Sequence, residues 1–99
     1  MDISNIKSLR QEFIHYLKAH YNYARPDIMG SNVLYVYYHD IGIPFDAIFV
    51  SEASMESAKE LLTIHFEQIG RKNPKGHAGV HYGCWKKFRE FLIASGQLN

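Results

Sequence analysis

The fold class depends on residues 30–41, which read GSNVLYVYYHDI. The branched and aromatic side chains of this segment, Val33 and Val36 among them, favour a β-strand because they suit a pleated surface. Against this, Ser31 is a good capping residue, and the positions behind it recur at helical spacing: Leu34, Tyr37, Tyr38 and Ile41. We favour the helix and keep an α+β arrangement, with a strand near residues 32–38, as the alternative.

The sequence on both sides of this segment predicts helices. Before it, Asp2 or Ser4 can cap a helix that Arg25–Pro26 stops. Its apolar residues recur at three and four positions, the spacing of one helical face: Ile6, Leu9, Phe13, Tyr16, Leu17 and Tyr21. After it, Pro44 opens a short helical piece that plugs the core with Phe45, Ile48 and Phe49.

A long amphipathic helix follows. Ser54 caps it, Ser57 and Glu60 form an alternative capping box, and Gly70 ends it. The spacing predicts an inner face made of Ala58, Leu61, Leu62, His65, Phe66 and Ile69.

The last helix has two candidate starting points. Asn73–Pro74 is a cap followed by proline, which favours a start at that point. Three glycines at positions 76, 79 and 83 each weaken a helix by up to about 1 kcal/mol, so we favour a start at residue 78 or later. The alternative is that the glycines form a smooth face for a second helix or a phosphate backbone. Gly96 ends the helix, and its inner face is Val80, Cys84, Trp85, Phe88, Phe91 and Leu92.

These elements predict a single all-α domain over residues 1–99, a compact bundle of four or five helices. The chain has 99 residues and is 46% hydrophobic, which suits one core and excludes large multidomain enzymes. No apolar run approaches the roughly 18 residues that span a bilayer, and the start Met1–Ser4 lacks the layout of a secretory signal. With Cys84 as its one cysteine, we expect a cytoplasmic protein. The ending just after Gly96 suggests an N-terminal domain excised from a longer protein.

The net charge of +1 is the sum of three unequal segments. Residues 1–39 carry +1, residues 40–70 carry −5, and residues 71–99 carry +5. No acid occurs between positions 71 and 89. Such a segment produces a local positive potential that attracts phosphate or an acidic partner. The alternative is internal pairing with the acidic segment that precedes it.

The basic segment is interleaved with the aromatic residues Tyr82 and Trp85. Lysine and arginine bind phosphates, and amides at a helix start add donors for an anion. The pattern predicts contact with nucleic-acid phosphates, DNA in particular, through Arg71, Lys72, Lys75, His77, His81, Lys86, Lys87 and Arg89. The alternative is that Trp85 and Phe88 belong to the core and the basic residues form only its solvated side.

Three residues at i, i+4 and i+7 of the last helix could ligate zinc, namely His77, His81 and Cys84. No closely spaced second pair follows, so a fourth ligand would have to be distant, such as His65 or His39. Cys84 near His81 also fits an activated thiolate, but the flanking residues match no cysteine-protease signature. Phosphate-loop, nucleophile-elbow and dinucleotide motifs are missing as well. We therefore assign no catalytic residue, metal or cofactor, and expect binding rather than catalysis.

Five tyrosines form a second group of amphipathic rings: Tyr21, Tyr23, Tyr35, Tyr37 and Tyr38. We favour a place at the edge of the core. Any that are exposed suit a protein interface, because tyrosine supplies contact area at low entropic cost. A protein-interaction or oligomerisation domain is therefore the alternative function.

Three short stretches carry a family resemblance: residues 31–35 (SNVLY), 42–46 (GIPFD) and 86–92 (KKFREFL), the last ahead of Ser95–Gly96. Over about residues 6–96 the chain resembles the small N-terminal domains of bacterial restriction-type nucleases and the core-binding domains of phage integrases. The resemblance implies a helical bundle that contacts DNA or a neighbouring domain, with catalytic residues elsewhere in a longer polypeptide. It also implies that Lys86, Lys87 and Arg89 face the partner.

Overall fold

The computed structural model describes residues 1–98, which form five α-helices and no strand. The helices are α1 (Ile6–His20), α2 (Pro26–Tyr38), α3 (Phe45–Ile48), α4 (Glu52–Gln68) and α5 (Pro74–Ala94). Helix α1 packs on α2, α2 packs on α5, and α4 lies along α5. The all-α bundle predicted from the sequence is confirmed, and the α+β alternative is wrong. Over these same residues, no helix combines the length and apolar character needed to cross a membrane.

Helix α2 includes the segment on which the fold class depends. It begins at Pro26 rather than at Ser31, because proline lacks the amide that the first helical position leaves unbonded. At Gly30, α1 comes so close that a Cβ would lie 3.2 Å from Ile14 Cγ1 and 3.3 Å from Arg10 Cγ. This close packing outweighs the strand propensity of the segment, since it buries Val33, Leu34 and Val36.

Helix α1 has boundaries that differ from the prediction. Asn5 caps it, in place of Asp2 or Ser4, and the Asn5 side chain accepts a hydrogen bond from a first-turn amide at 3.2 Å. The helix ends at His20, so Pro26 begins the next helix instead of stopping this one. Several polar residues precede the helix, and apolar spacing alone does not show which of them caps it.

Helices α4 and α5 both begin earlier than predicted. Ser51 caps α4 in a reciprocal pair with Ser54, in which each backbone amide donates to the other side chain at 3.0 Å. Ser54 thus lies inside the helix and is not its cap. Helix α5 begins at Pro74, so the delayed start is wrong. Its cap Asn73 accepts from the amide of Gly76 at 3.3 Å and fills the space that a Cβ at Gly76 would need.

The core is aromatic and centres on α5. Trp85 and Phe88 are buried, and Phe49, just past α3, packs on Phe88 with ring centroids 4.8 Å apart. The predicted role of the α3 segment as a plug for the core is therefore confirmed. Two residues predicted for inner faces are instead mostly exposed, Ile69 by 54% and Val80 by 58%.

Candidate nucleic-acid interface

The turn between α4 and α5 brings three of the predicted cations together. Gly70 takes a φ of +75°, which glycine adopts without strain, and the Arg71 amide then donates to the Phe66 carbonyl at 2.9 Å. The chain reverses, so that α5 runs back along α4. Arg71 and Lys72 in the turn, and Lys75 in the first turn of α5, have exposed side chains.

Five of the eight predicted site residues are exposed, and we call them the cationic face: Arg71, Lys72, Lys75, His77 and Lys86. Aromatic rings support two of them. The Arg71 guanidinium carbon lies 4.4 Å from the centroid of the Phe66 ring, and Lys86 Nζ lies 4.9 Å from that of Tyr82. These contacts orient the cations without neutralising them.

The acidic middle third does not pair with the cationic face. Within residues 1–98, ion pairs join Arg25 to Asp27 at 3.0 Å and Lys87 to Glu90 at 3.6 Å, and no other acid–base pair lies within 4 Å. Glu56, on α4, instead accepts a hydrogen bond from the Tyr82 hydroxyl at 2.6 Å. Glu56 and Glu60 nevertheless line one depression together with Lys75, so acidic side chains border the cationic face on its α4 side.

Lys87 and Arg89 hold the bundle together and lie outside the cationic face. Both are half-buried. Lys87 Nζ donates to the Tyr21 hydroxyl at 3.1 Å, which raises the pKa of Lys87. Tyr21 in turn donates to Glu90 at 2.5 Å, and Arg89 Nε donates to the Phe49 carbonyl at 3.0 Å. These contacts fasten α5 to the end of α1 and to the residue after α3.

His81 lies mostly in the interior and is not part of the cationic face. Its side chain is only 7% exposed, because position 81 falls on the inner side of α5 between Ala78 and Trp85. His81 Nδ1 lies 2.9 Å from the Asn32 carbonyl oxygen. Since a carbonyl can only accept, Nδ1 carries the proton. Burial lowers the pKa of His81, so the neutral ring is favoured.

The free energy of unfolding should fall as the pH drops below about 6.5. Burial lowers the pKa values of His81 and His65 below 6.5 in the folded chain, so the unfolded chain binds more protons in this range. Their stabilising contribution is complete above pH 6.5 and is lost as the pH falls through the folded-state values. Urea unfolding at several pH values from 7.5 to 5 measures this dependence. This range lies above the usual pKa values of carboxylates, so most of them remain ionised.

A matched pair of variants assigns this dependence on pH. His81→Gln should reduce it to the share of His65, because glutamine can still donate to the Asn32 carbonyl but does not titrate. His15→Gln changes an exposed histidine on α1 and should leave it as in the wild type. A wild-type free energy of unfolding that increases as the pH is lowered from 6.5 to 5 would contradict the burial of neutral imidazoles.

Cys84 is buried beside α2, and its Sγ accepts a hydrogen bond from Asn32 Nδ2 at 3.7 Å. Burial raises the pKa of the Cys84 thiol, which opposes formation of a thiolate. The two histidines that were predicted to ligate zinc with Cys84 lie in different surroundings, since His77 is exposed and His81 is buried. Nowhere in the described part of the chain do three His, Cys, Asp or Glu side chains come together in a way that could hold a metal ion.

The tyrosines divide between the core edge and the surface. Tyr35 is half-buried, as is Tyr21, and the Tyr35 hydroxyl lies 2.8 Å from His65 Nε2. Tyr37 and Tyr38 are exposed, as is Tyr23. The first two line an open cavity of about 630 Å³ beside the loop that follows α2.

One cation close to the cationic face was not predicted. Lys59 Nζ, from α4, lies 4.9 Å from the centroid of the Tyr82 ring, which Lys86 also approaches. The sequence placed Lys59 in the acidic segment. The short connection between two amphipathic helices was the signal that could have found it, because such helices pack antiparallel and bring residues distant in sequence together.

The site is therefore a surface rather than a cleft, formed by the turn, by the outer side of α5 and, at His77, by the side of α5 that faces Phe66. Its cations are exposed and lie more than 4 Å from every described carboxylate. Comparisons of the chain with protein families, with curated proteins and with solved structures gave no match.

Proposed function

We propose that the chain is a non-catalytic helical binding module of a bacterial DNA-processing protein, which holds nucleic-acid phosphates on the cationic face. The observation that carries this proposal is that the face has no carboxylate within 4 Å among residues 1–98. Exposed cations of this kind neutralise phosphates and release counterions, the main source of sequence-independent affinity.

The dimensions of the cationic face suit an extended polyanion. Lys75 and Lys86 are 11 positions apart on α5, about three turns, so they lie on one side of the helix and are separated by about 16 Å. Arg71 and Lys72 add two exposed cations in the turn before the helix, and Arg71 lies on the side of His77 and His81. A row of this length can follow several successive phosphates of one strand.

Two glycines within this row support close approach of a backbone. Gly79 and Gly83 lie on the outer side of α5, and a Cβ added at either would meet nothing within 4 Å. Packing within the domain therefore does not explain them, although each weakens the helix by about 1 kcal/mol relative to alanine. A partner that approaches the helix backbone does explain them.

Alanine at these glycines should affect stability and binding in opposite directions. Gly79→Ala and Gly83→Ala should each raise the free energy of unfolding by about 0.5–1 kcal/mol, or the Tm by a few degrees. The double variant should nevertheless bind duplex DNA several-fold more weakly, because two methyl groups separate the helix from the phosphates. Thermal melts and fluorescence anisotropy measure the two effects. Unchanged affinity in the stabilised variant would mean that no backbone approaches these positions.

A fluorescence-anisotropy titration with labelled duplex DNA tests the proposed function itself. We expect binding at 50 mM salt that weakens steeply at 200 mM, as counterion release requires. Affinity weaker than about 100 μM at low salt, or affinity that does not change with salt, would rule it out.

A second candidate function is protein binding or self-association through the tyrosines. It is favoured by Tyr37 and Tyr38, whose exposed rings meet edge to face at 4.9 Å and line the open cavity after α2. Exposed tyrosine is common at interface centres. Analytical ultracentrifugation distinguishes this function, since it requires an oligomer that Tyr37→Ser abolishes.

A further inference from the structure

A small depression lies where the turn after α4 meets the first half of α5. Its lining consists of Arg71, His77, Val80 and His81, and its volume is about 140 Å³. Since a water molecule takes about 30 Å³ of the liquid, the depression holds a group of a few non-hydrogen atoms. None of the four lining residues is a carboxylate, so no negative charge in the lining repels an anion.

His81 contributes an unused acceptor to this depression. Nδ1 carries the ring proton, because it donates to the Asn32 carbonyl at 2.9 Å, and the neutral ring therefore has a lone pair on Nε2. Nε2 makes no hydrogen bond with residues 1–98. Among residues 1–98, Trp85 Nε1 is the one buried side-chain nitrogen or oxygen atom that has no hydrogen-bond partner. Since His81 Nε2 also has no partner, it must keep contact with solvent.

Arg71 contributes a fixed cation with unused donors. Its guanidinium carbon lies 4.4 Å from the centroid of the Phe66 ring and 5.9 Å from that of Tyr35. None of its guanidinium nitrogens forms a hydrogen bond or an ion pair with the described residues. A guanidinium that lies over a ring and makes no hydrogen bond of its own keeps its N–H donors for the oxygens of a phosphate.

We propose that this depression binds a phosphate group that carries its own proton. Arg71 donates to the charged oxygens, and the phosphate hydroxyl donates to His81 Nε2. An internal phosphodiester has no hydroxyl and leaves the Nε2 lone pair facing an anion, whereas free phosphate and the monoprotonated form of a monoester both supply the missing donor. On a nucleic acid, the matching group is a terminal phosphate monoester, an assignment that rests on the proposed function.

Imidazole signals in long-range proton–nitrogen NMR spectra test the site directly. Inorganic phosphate keeps a hydroxyl at pH 7, while sulfate matches its shape and has none. We expect the His81 Nε2 signal to shift and saturate with phosphate at a concentration at least about tenfold below that for sulfate at equal ionic strength, because bound sulfate covers the Nε2 lone pair and offers it no donor. Equal responses to the two anions, or a His81 signal that does not move, would overturn the proposal.

A matched pair of exposed-residue variants shows which cation holds the anion. Arg71→Gln and Lys86→Gln each remove one positive charge from the cationic face, and neither side chain is part of the core. Loss of a charge-assisted hydrogen bond predicts phosphate binding weakened about tenfold or more in Arg71→Gln. Lys86→Gln, outside the depression, should change it less than twofold. Equal losses in the two variants would mean that phosphate senses only the general potential.

Duplex DNA with or without 5′-phosphates separates this proposal from the proposed function. At pH 6 about half of a phosphate monoester carries a proton, so wild-type protein should bind the phosphorylated duplex several-fold more tightly, and Arg71→Gln should not discriminate. Binding of inorganic phosphate without binding of either duplex would support the site and overturn the nucleic-acid function. Equal binding of both duplexes with an unmoved His81 signal would support that function and overturn the phosphate site. Binding of inorganic phosphate with equal affinity for both duplexes would overturn the terminal-phosphate assignment.

Discussion

Replacement of Trp85 by alanine is expected to remove a large share of the free energy of unfolding. The Trp85 side chain has no exposed surface and lies between Phe49 and Tyr82, with ring centroids 6.4 Å from each. Removing so large a buried ring costs about 3–5 kcal/mol in transfer and cavity energy. A domain of this size has only about 5–15 kcal/mol of stability, and its Tm should fall by at least 10 °C or so.

Trp85→Phe is the matched control for this cavity. Trp85 Nε1 is buried without a hydrogen-bond partner among the described residues, and an unsatisfied donor costs about 1–3 kcal/mol. Phenylalanine removes that donor and keeps most of the ring, so the loss should stay below about 1.5 kcal/mol. Circular dichroism during urea and thermal unfolding measures both variants. A loss under about 1 kcal/mol in Trp85→Ala would mean that the core does not depend on this ring.

Removal of two lysines from the cationic face should reduce DNA affinity by roughly tenfold for each lysine at 50 mM salt. The variant is Lys72→Gln with Lys75→Gln, at two exposed positions beside the start of α5. Each lysine that contacts a phosphate also contributes about 1 to the slope of log affinity against log salt. The slope should therefore fall by about 2, which anisotropy titrations at four or five salt concentrations resolve.

A second lysine pair controls for net charge. Lys7→Gln with Lys18→Gln removes the same two charges from exposed positions on α1, a helix that contributes no residue to the cationic face. This variant should keep the wild-type slope and lose no more than about twofold in affinity at moderate salt, since a lysine that contacts no phosphate releases no counterion. Equal losses in the two double variants would indicate attraction to the whole molecule rather than to one surface.

The sequence was sufficient to predict the bundle because the apolar spacing of α1, α4 and α5 is helical. It was less informative for α2, where Val33 and Val36 favour a strand when considered alone. That segment is helical because it packs against α1 at Gly30, a long-range contact that local propensity does not contain. Helix starts were the least predictable features, since Ser51 and Ser54 are both acceptable caps and only the observed hydrogen bonds distinguish them.

The candidate site was predictable as a segment but not residue by residue. Lys86 and Lys87 are adjacent in sequence, yet one is exposed and the other is drawn to Tyr21 and Glu90. Successive helical positions differ by about 100° in direction, and their surroundings depend on which helices pack alongside. His81 shows the same effect, because its place on the inner side of α5 became apparent only with the partner carbonyl of Asn32 in position.

The location of the nucleic-acid contact can be read from backbone amide chemical shifts during a titration with duplex DNA. If the cationic face binds phosphates, the largest shifts will fall between Arg71 and Lys86, including the amides of Gly79 and Gly83. Tyr37 and Tyr38 will change little. Shifts concentrated at these tyrosines, or spectra that do not change when DNA is in excess, would contradict phosphate binding by this face.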